Sequence, residues 1–174
     1  MLNVTFAIEG YRHPLLVVAY HYRDEISKPF ELELEVVFDD SSLDFEPLLG
    51  AAALAQLHDE PFLPKVLGVV LEIEQKTIDP NGRSHYLVRV VPPVALLAYR
   101  TGHRIEQNKS LVDIAAGVSA SAGQPPVLKL GDYEPREYTV QYGERDLTFM
   151  QRLLAEAGVG FFFDHEHASA PLFF

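Results

Sequence analysis

The sequence predicts a strand-rich α+β fold, and three stretches carry that reading. Residues 30–39 alternate apart from Val37: Phe30, Leu32, Leu34, Val36 and Phe38 fall on one side, Glu31, Glu33, Glu35 and Asp39 on the other. That is the period-two pattern of a half-buried strand. Val66–Ile78 and Ser84–Val91 read as two long strands joined by Asp79-Pro80-Asn81-Gly82, a strong hairpin signal. The stretch from Glu137 to His165 then runs strand, helix, glycine stop and strand in close succession.

Taken in order, Thr5–Ala7 and Leu15–Tyr22 precede the alternating strand, and Asp39–Asp44 is a polar turn after it. Ala51–Leu57 is open to two readings. Alanine loses no side-chain entropy in a helix, so local propensity favours helix; a strand is the other reading. Pro92-Pro93 ends the strand-rich first part. Ser110–Ala122 is expected to be helical, with Ser110 as N-cap, Asp113 in the first turn at the positive end of the dipole, and Gly123 after the last turn. Val140 and Tyr142 suit a strand. Asp146 offers a second helix start, and Leu147, Met150, Leu154 and Ala157, with Leu153 beside them, fall at helical spacing up to Gly158. Val159–Phe163 reads as a short buried strand. Phe161–Asp164 and Leu172–Phe174 read as arms of a hairpin with His165–Pro171 as its loop.

Composition narrows the function classes. With 25 acidic and 14 basic residues the formal charge is −11. This opposes nucleic-acid binding, which needs Lys and Arg to neutralise phosphates. The absence of cysteine removes disulfides, thiolate metal sites and cysteine nucleophiles. No apolar run approaches the length of a membrane span, and the first residues, MLNVTFAIEG, lack the form of a secretory signal.

The candidates for chemistry each have a plainer reading. His165-Glu166-His167 is the nearest approach to a metal motif, but zinc needs three or four ligands and the spacing supplies one pair, so a polar loop is expected. Glu31, Glu33 and Glu35 resemble a carboxylate platform, yet on an alternating strand they form the solvated face. Ser110, Ser119, Ser121 and Ser169 lack the strained elbow that presents a nucleophile. Gly50, Gly68 and Gly82 form no phosphate-cradling loop, and His13, His21, His58, His85 and His103 have no ligand-like spacing. Arg152, inside the apolar second helix, either holds an internal carboxylate or carbonyl cluster through its planar fork or lies exposed on the flank. The sequence thus points to no catalytic, cofactor-binding or metal-binding residue, and to no enzyme.

The C-terminal third resembles the signature of the VgrG family, the spike proteins of type VI secretion, and of the related hub proteins of contractile phage tails. Gln141-Tyr142, Glu144, Asp146-Leu147, Phe149, Arg152-Leu153-Leu154, Glu156, Gly158, Phe162-Phe163 and His165 carry it. Weaker landmarks follow in the right order: Phe30 after Lys28-Pro29, Leu48-Leu49-Gly50, Gly68-Val69-Val70, Tyr86 through Pro92, and Ser110 through Ile114. Arg145 departs from a common serine cap, and Gly160 replaces a usual aromatic. The resemblance also favours strand for Ala51–Leu57.

What the resemblance implies is an architecture and a role. Residues 1–100 would form a first hub β-barrel domain resembling the phage tail-hub barrels. Residues 101–174 would be a mixed α/β segment that begins a second hub domain. Because family members are much longer, the chain is expected to be a piece of such a protein. The full-length protein would be a homotrimer whose pseudo-sixfold ring docks on the hexameric Hcp tube and carries a distal puncturing spike, with effector proteins as possible further partners. It would be made in the bacterial cytoplasm and exported by the type VI apparatus without a signal peptide. A phage tail hub or late-control protein is the alternative within this class. From other classes, a small-ligand-binding β-barrel would need a closed apolar interior with polar anchors, and a hydrolase would need a cluster of perturbed groups.

Overall fold

The computed structural model describes residues 3–38, 45–58, 65–78, 83–166 and 171–174. Two compact units emerge. The first comprises Met1–Asp24, Phe30–Pro92 and His165–Ala170; the second comprises Glu25–Pro29, Pro93–Asp164 and Pro171–Phe174.

The first unit is one antiparallel sheet. Its strands are β1 (Val4–Ile8), β2 (Leu16–Arg23), β3 (Glu31–Phe38), β4 (Ala52–Leu57), β5 (Lys65–Ile78) and β6 (Ser84–Val91), in the order β1-β4-β5-β6-β3-β2. The end strands β1 and β2 also touch each other, so the sheet curls into a half-barrel. Strand alternation decides its interior. Leu32, Leu34 and Val36 of β3, Tyr86, Val88 and Val90 of β6, Val66 and Val70 of β5, and Ala53, Ala55 and Leu57 of β4 all point inward and are buried. Curling brings β5 hard against β6, and Gly68 is the residue that permits it. A Cβ there would lie 2.5 Å from the Val91 carbonyl oxygen and 2.8 Å from Val90 Cγ1. Register shifts between Val70 and Glu72 and between Gln75 and Thr77 bend the long β5 further.

Ala52–Leu57 is a strand: Ala53 and Ala55 are small inward residues that a tightly curled sheet accepts, and pairing with β1 and β5 overrides the helical preference of the alanines. The Asp39–Asp44 turn and the Asp79–Gly82 hairpin turn lie outside the described residues.

The second unit opens with a 3-10 helix, Pro93–Tyr99, which buries Val94 and Leu97. β7 (Thr101–Lys109) pairs antiparallel with β8 (Arg136–Arg145) as a two-stranded ribbon. Helix α1 (Leu111–Ala120) is capped as its sequence requires. Ser110 Oγ accepts from the Asp113 backbone N–H at 3.1 Å and donates to Asp113 Oδ2 at 2.7 Å. Helix α2 (Asp146–Glu156) has Arg145 in the N-cap position with no side-chain cap bond, so the departure from serine leaves that end uncapped by its own side chain. Its far end closes on Gly158 at φ +71°, with Gly158 N–H donating to Ala155 O and Val159 N–H to Leu154 O. The buried face of α2 is Asp146, Phe149, Met150, Leu153 and Leu154, rotated from the predicted stripe so that Leu147 and Ala157 sit at its margin.

The last strands are shorter than predicted. β9 (Phe162–Phe163) and β10 (Leu172–Phe173) pair antiparallel. On its other side β10 takes a parallel bridge to Val127, a partner that no sequence pattern signals. No helix is long and apolar enough to cross a membrane among the described residues.

Leu154 is 1% exposed at the centre of the α2 face. Leu154→Ala should cost roughly 2–5 kcal/mol in urea unfolding, the range for truncating a buried leucine. A loss under about half a kcal/mol would mean that α2 does not pack as described.

Candidate functional site

Four of the signature residues, Gln141, Glu144, Asp146 and Arg152, gather in the second unit. On the ribbon, Gly102, Arg104, Thr139 and Gln141 share the face turned toward α2, and Asp146 opens that helix. The Asp146 carboxylate is almost wholly buried. Oδ1 accepts from Gln141 Nε2 at 2.8 Å and Arg104 Nη2 at 2.9 Å, and Oδ2 pairs with Arg100 Nη2 at 3.1 Å. Its backbone N–H donates to Arg100 O at 2.8 Å. A carboxylate in the first helical turn also meets the positive end of the helix dipole. Gly102 allows the approach, since a Cβ there would stand 3.0 Å from Asp146 Oδ1.

Arg152 turns out to satisfy both of its sequence readings in part. Its fork grips Glu144, with Nη2 to Oε1 at 2.6 Å and Nε to Oε2 at 3.3 Å, while Nη2 also donates to the Val140 carbonyl at 3.2 Å. Nη1 reaches Glu156 one turn on at 3.0 Å, and the guanidinium remains partly exposed. Arg104 and Arg152 both lie over the Phe149 ring, at 5.8 and 5.3 Å from its centroid. The hydrogen bond with Glu144 holds the Arg152 pKa above its ordinary value, and hydrogen bonds from Arg152 and then Arg136 hold the Glu156 carboxyl below the usual carboxylate value. The arrangement fixes a ribbon, a helix and a 3-10 turn to one another. It presents no nucleophile paired with a base.

The remaining candidates are dispersed. The Glu31–Glu35 row faces outward, as the alternation predicts, but is not simply solvated. Arg89 on β6 bridges Glu31, Glu33 and Glu72 at 2.8, 3.3 and 2.7 Å, and His85 meets Glu35 at 3.1 Å. His165 lies in the loop between β9 and β10, as expected, but is not a solvated loop residue. It is buried in the first unit against Phe30, with ring centroids 4.8 Å apart, and its Nε2 lies 2.9 Å from the Tyr22 hydroxyl. Burial, and then Asp24, push the Tyr22 phenol pKa up. His167, Ser169 and Gly82 lie outside the described residues. Ser119 and Ser121 bond backbone carbonyls of Gln124 and Val118. Gly50 takes φ +78° in a turn. His13 stacks near Tyr11, His58 bonds Thr5, and His21 is exposed. Among the described residues no three His, Asp or Glu side chains gather as a metal would require. A cavity of about 230 Å³ lies beside the start of α1, lined in part by Ser110, Asp113, Asp132 and Tyr133. It is below the usual size of a small-molecule pocket.

Gly160 has a local explanation. A side chain there would meet Ile26 Cγ2 at 3.3 Å and Ser27 Oγ at 3.4 Å, because the Glu25–Pro29 segment packs on the chain just before β9 and Ser27 N–H donates to Phe161 O.

The sequence reading missed β7 and with it Arg100 and Arg104. The signal was the alternation Gly102, Arg104, Glu106 against His103 and Ile105, which is weak because both faces are mostly polar. The opposite face of the ribbon carries His103, Ile105, Tyr138, Val140 and Tyr142. Tyr142 is 83% exposed, Ile105 67% and Tyr138 61%.

A half-barrel followed by this ribbon-and-helix unit defines a tail-hub class of protein. Residues 23–174 match the phage tail baseplate hub (GPD) family, and the chain belongs to it. It is 36% identical over 180 residues to the type VI secretion system spike protein VgrG4b of Pseudomonas aeruginosa, covering 99% of this chain and 21% of that protein. The chain therefore spans about a fifth of that relative's length. Among solved structures, the E. coli c3393 protein is described as a component of the type VI secretion system with structural similarity to the T4 tail proteins gp27 and gp5. It matches with a TM-score of 0.86 and 27% identity, over 97% of this chain and 48% of that one. The 43 kDa tail protein of prophage MuSo2 from Shewanella oneidensis shares the fold, with a TM-score of 0.68 at 15% identity, over 98% of this chain and 52% of that one.

Since the folded-state pKa of Glu156 lies below its ordinary value, its contribution to stability is present above the unfolded carboxylate pKa and is lost as pH falls through the depressed folded value. Arg152→Gln should lower stability at pH 7 by about 1 kcal/mol, the scale of a half-exposed ion pair. The gap from the parent chain should narrow as pH drops below about 4.5. Urea melts at several pH values check this, and a gap that stays constant or widens in acid would contradict it.

Proposed function

We propose that this chain is the N-terminal hub part of a type VI secretion spike. In this reading its work is architectural. Residues 1–100 form the first hub barrel and residues 101–174 begin the second hub region. Three full-length copies assemble into a trimer, whose barrels make a pseudo-sixfold ring that docks on the hexameric Hcp tube and carries a distal spike. The protein is made in the bacterial cytoplasm and leaves through the type VI apparatus, with effectors as further cargo or partners. No catalytic, cofactor or metal role is assigned to these residues.

One observation carries the reading: the similarity to a type VI spike protein runs through nearly the whole of this chain, signature and barrel together. The structure supports it physically. Polar side chains at the signature are spent on holding elements in place, and the inward side chains of the described barrel strands are buried, which suits a part that transmits force.

A stable interface takes roughly 800 Å² from each partner. This hub region alone is expected to associate weakly or not at all, and the chain extended through its spike to form a stable trimer. Light scattering across a concentration series tests both. An extended protein that stays monomeric at high concentration would count against the docking role.

A further inference from the structure

We propose that the outward face of the β7–β8 ribbon is a contact surface for a second copy of this chain. The proposal rests on the trimeric reading above and names the surface involved. Ile105 stands opposite Val140, His103 opposite Tyr142 and Gln107 opposite Tyr138, so their side chains form one continuous stripe. His103 and Tyr142 meet edge to face, with ring centroids 5.1 Å apart. Most apolar residues of this chain that lie on strands find a core. These four, Ile105, Tyr138, Val140 and Tyr142, do not, although the other face of the same ribbon is pinned by the buried Asp146 cluster. A contiguous exposed apolar stripe on a rigid element marks an interaction surface whose shape is set before its partner arrives.

Size and charge select the partner. The stripe offers roughly 500 Å² of mostly apolar surface, taking an aromatic side chain at 150–250 Å². That falls short of the roughly 800 Å² that a freely diffusing partner needs. It suffices for a partner already held nearby, whose effective concentration is high. A neighbouring copy in a closed ring is such a partner, because each copy then makes two contacts and further contacts elsewhere hold the ring together. The outward side chains of the ribbon from His103 to Lys109 and from Arg136 to Tyr142 include no carboxylate, in a chain of net charge −11. The stripe ends on Lys109 and Arg136, which pair within the chain with Glu106 and Glu156 at 2.8 and 2.9 Å. Identical acidic copies repel one another over most of their surface, and this face is where that repulsion is weakest.

The test places a photo-crosslinking amino acid, p-benzoylphenylalanine, at Tyr142 in the full-length protein, assembled from an equal mixture of ¹⁴N- and ¹⁵N-labelled copies. Light scattering reports the assembly state and mass spectrometry maps the crosslinks. The expected result is a trimer with mixed-isotope crosslinks from position 142 into residues 3–174 of another copy. A trimer whose crosslinks stay within one copy, run to sequence beyond Phe174, or do not form overturns the ribbon assignment and leaves the trimer standing. A protein that does not trimerise overturns the trimer reading and the proposal with it. The paired variant Ile105→Glu with Tyr138→Glu gives an independent arm. It should weaken assembly of the full-length protein at least tenfold in midpoint concentration while leaving its circular-dichroism spectrum unchanged. Unchanged assembly by that folded variant would also overturn the assignment.

Discussion

A single buried carboxylate, Asp146, holds the second unit in register. The 3-10 turn reaches it through the Arg100 carbonyl and guanidinium, β7 through Arg104, β8 through Gln141, and α2 begins on it. A buried carboxylate that lost these partners would face a desolvation cost of several kcal/mol, so the surrounding chain is fixed where those partners can reach it. The neighbouring Glu144–Arg152–Glu156 set repeats the device at half exposure, tying β8 to the outer side of α2. Arg145 gives the helix no side-chain cap, and one of the first-turn donors, the Asp146 backbone N–H, is met by the Arg100 carbonyl.

The first unit follows a different constraint, which is curvature. Its interior is made by plain alternation, and its outside by cross-strand charge pairs centred on Arg89. Burial acts on that guanidinium in one direction and the surrounding glutamates in the other, with the glutamates prevailing to raise its pKa. What alternation alone does not supply is room for β5 to bend against β6. Gly68 and the two β5 bulges supply it. A charged, bulged outer surface also discourages stray edge pairing between barrels.

Elements with a strong period were legible in the sequence. β3, β5, β6, both helices and the Ser110 and Gly158 ends follow from local chemistry and were found where the pattern put them. The Ala51–Leu57 strand was not settled by propensity, because its alanines are chosen for a curled sheet and not for a helix. β7 was hidden by its polar composition, and the 3-10 helix Pro93–Tyr99 by an apolar run too short for a helical period to show. At the signature, the residue types were visible but their roles were not. Nothing in the spacing of Arg100, Arg104, Gln141 and Asp146 announces that they meet, since the contact depends on β7 returning beside β8. His165 likewise read as a loop residue, because its burial comes from distant Tyr22 and Phe30. Gly160 is intelligible only once Ile26 and Ser27 are seen to occupy the space of its missing side chain.

The central claim is that Asp146 is the junction on which the ribbon and helix depend. The most direct measurement is hydrogen exchange on the Asp146→Ala chain, read together with its urea melt. The account predicts a loss of at least about 2 kcal/mol, the scale for stranding buried hydrogen-bonding groups. It also predicts selective loss of protection at the β7 and β8 amides, with β3 and β6 unaffected under native conditions. A loss under about half a kcal/mol with ribbon protection intact would contradict it.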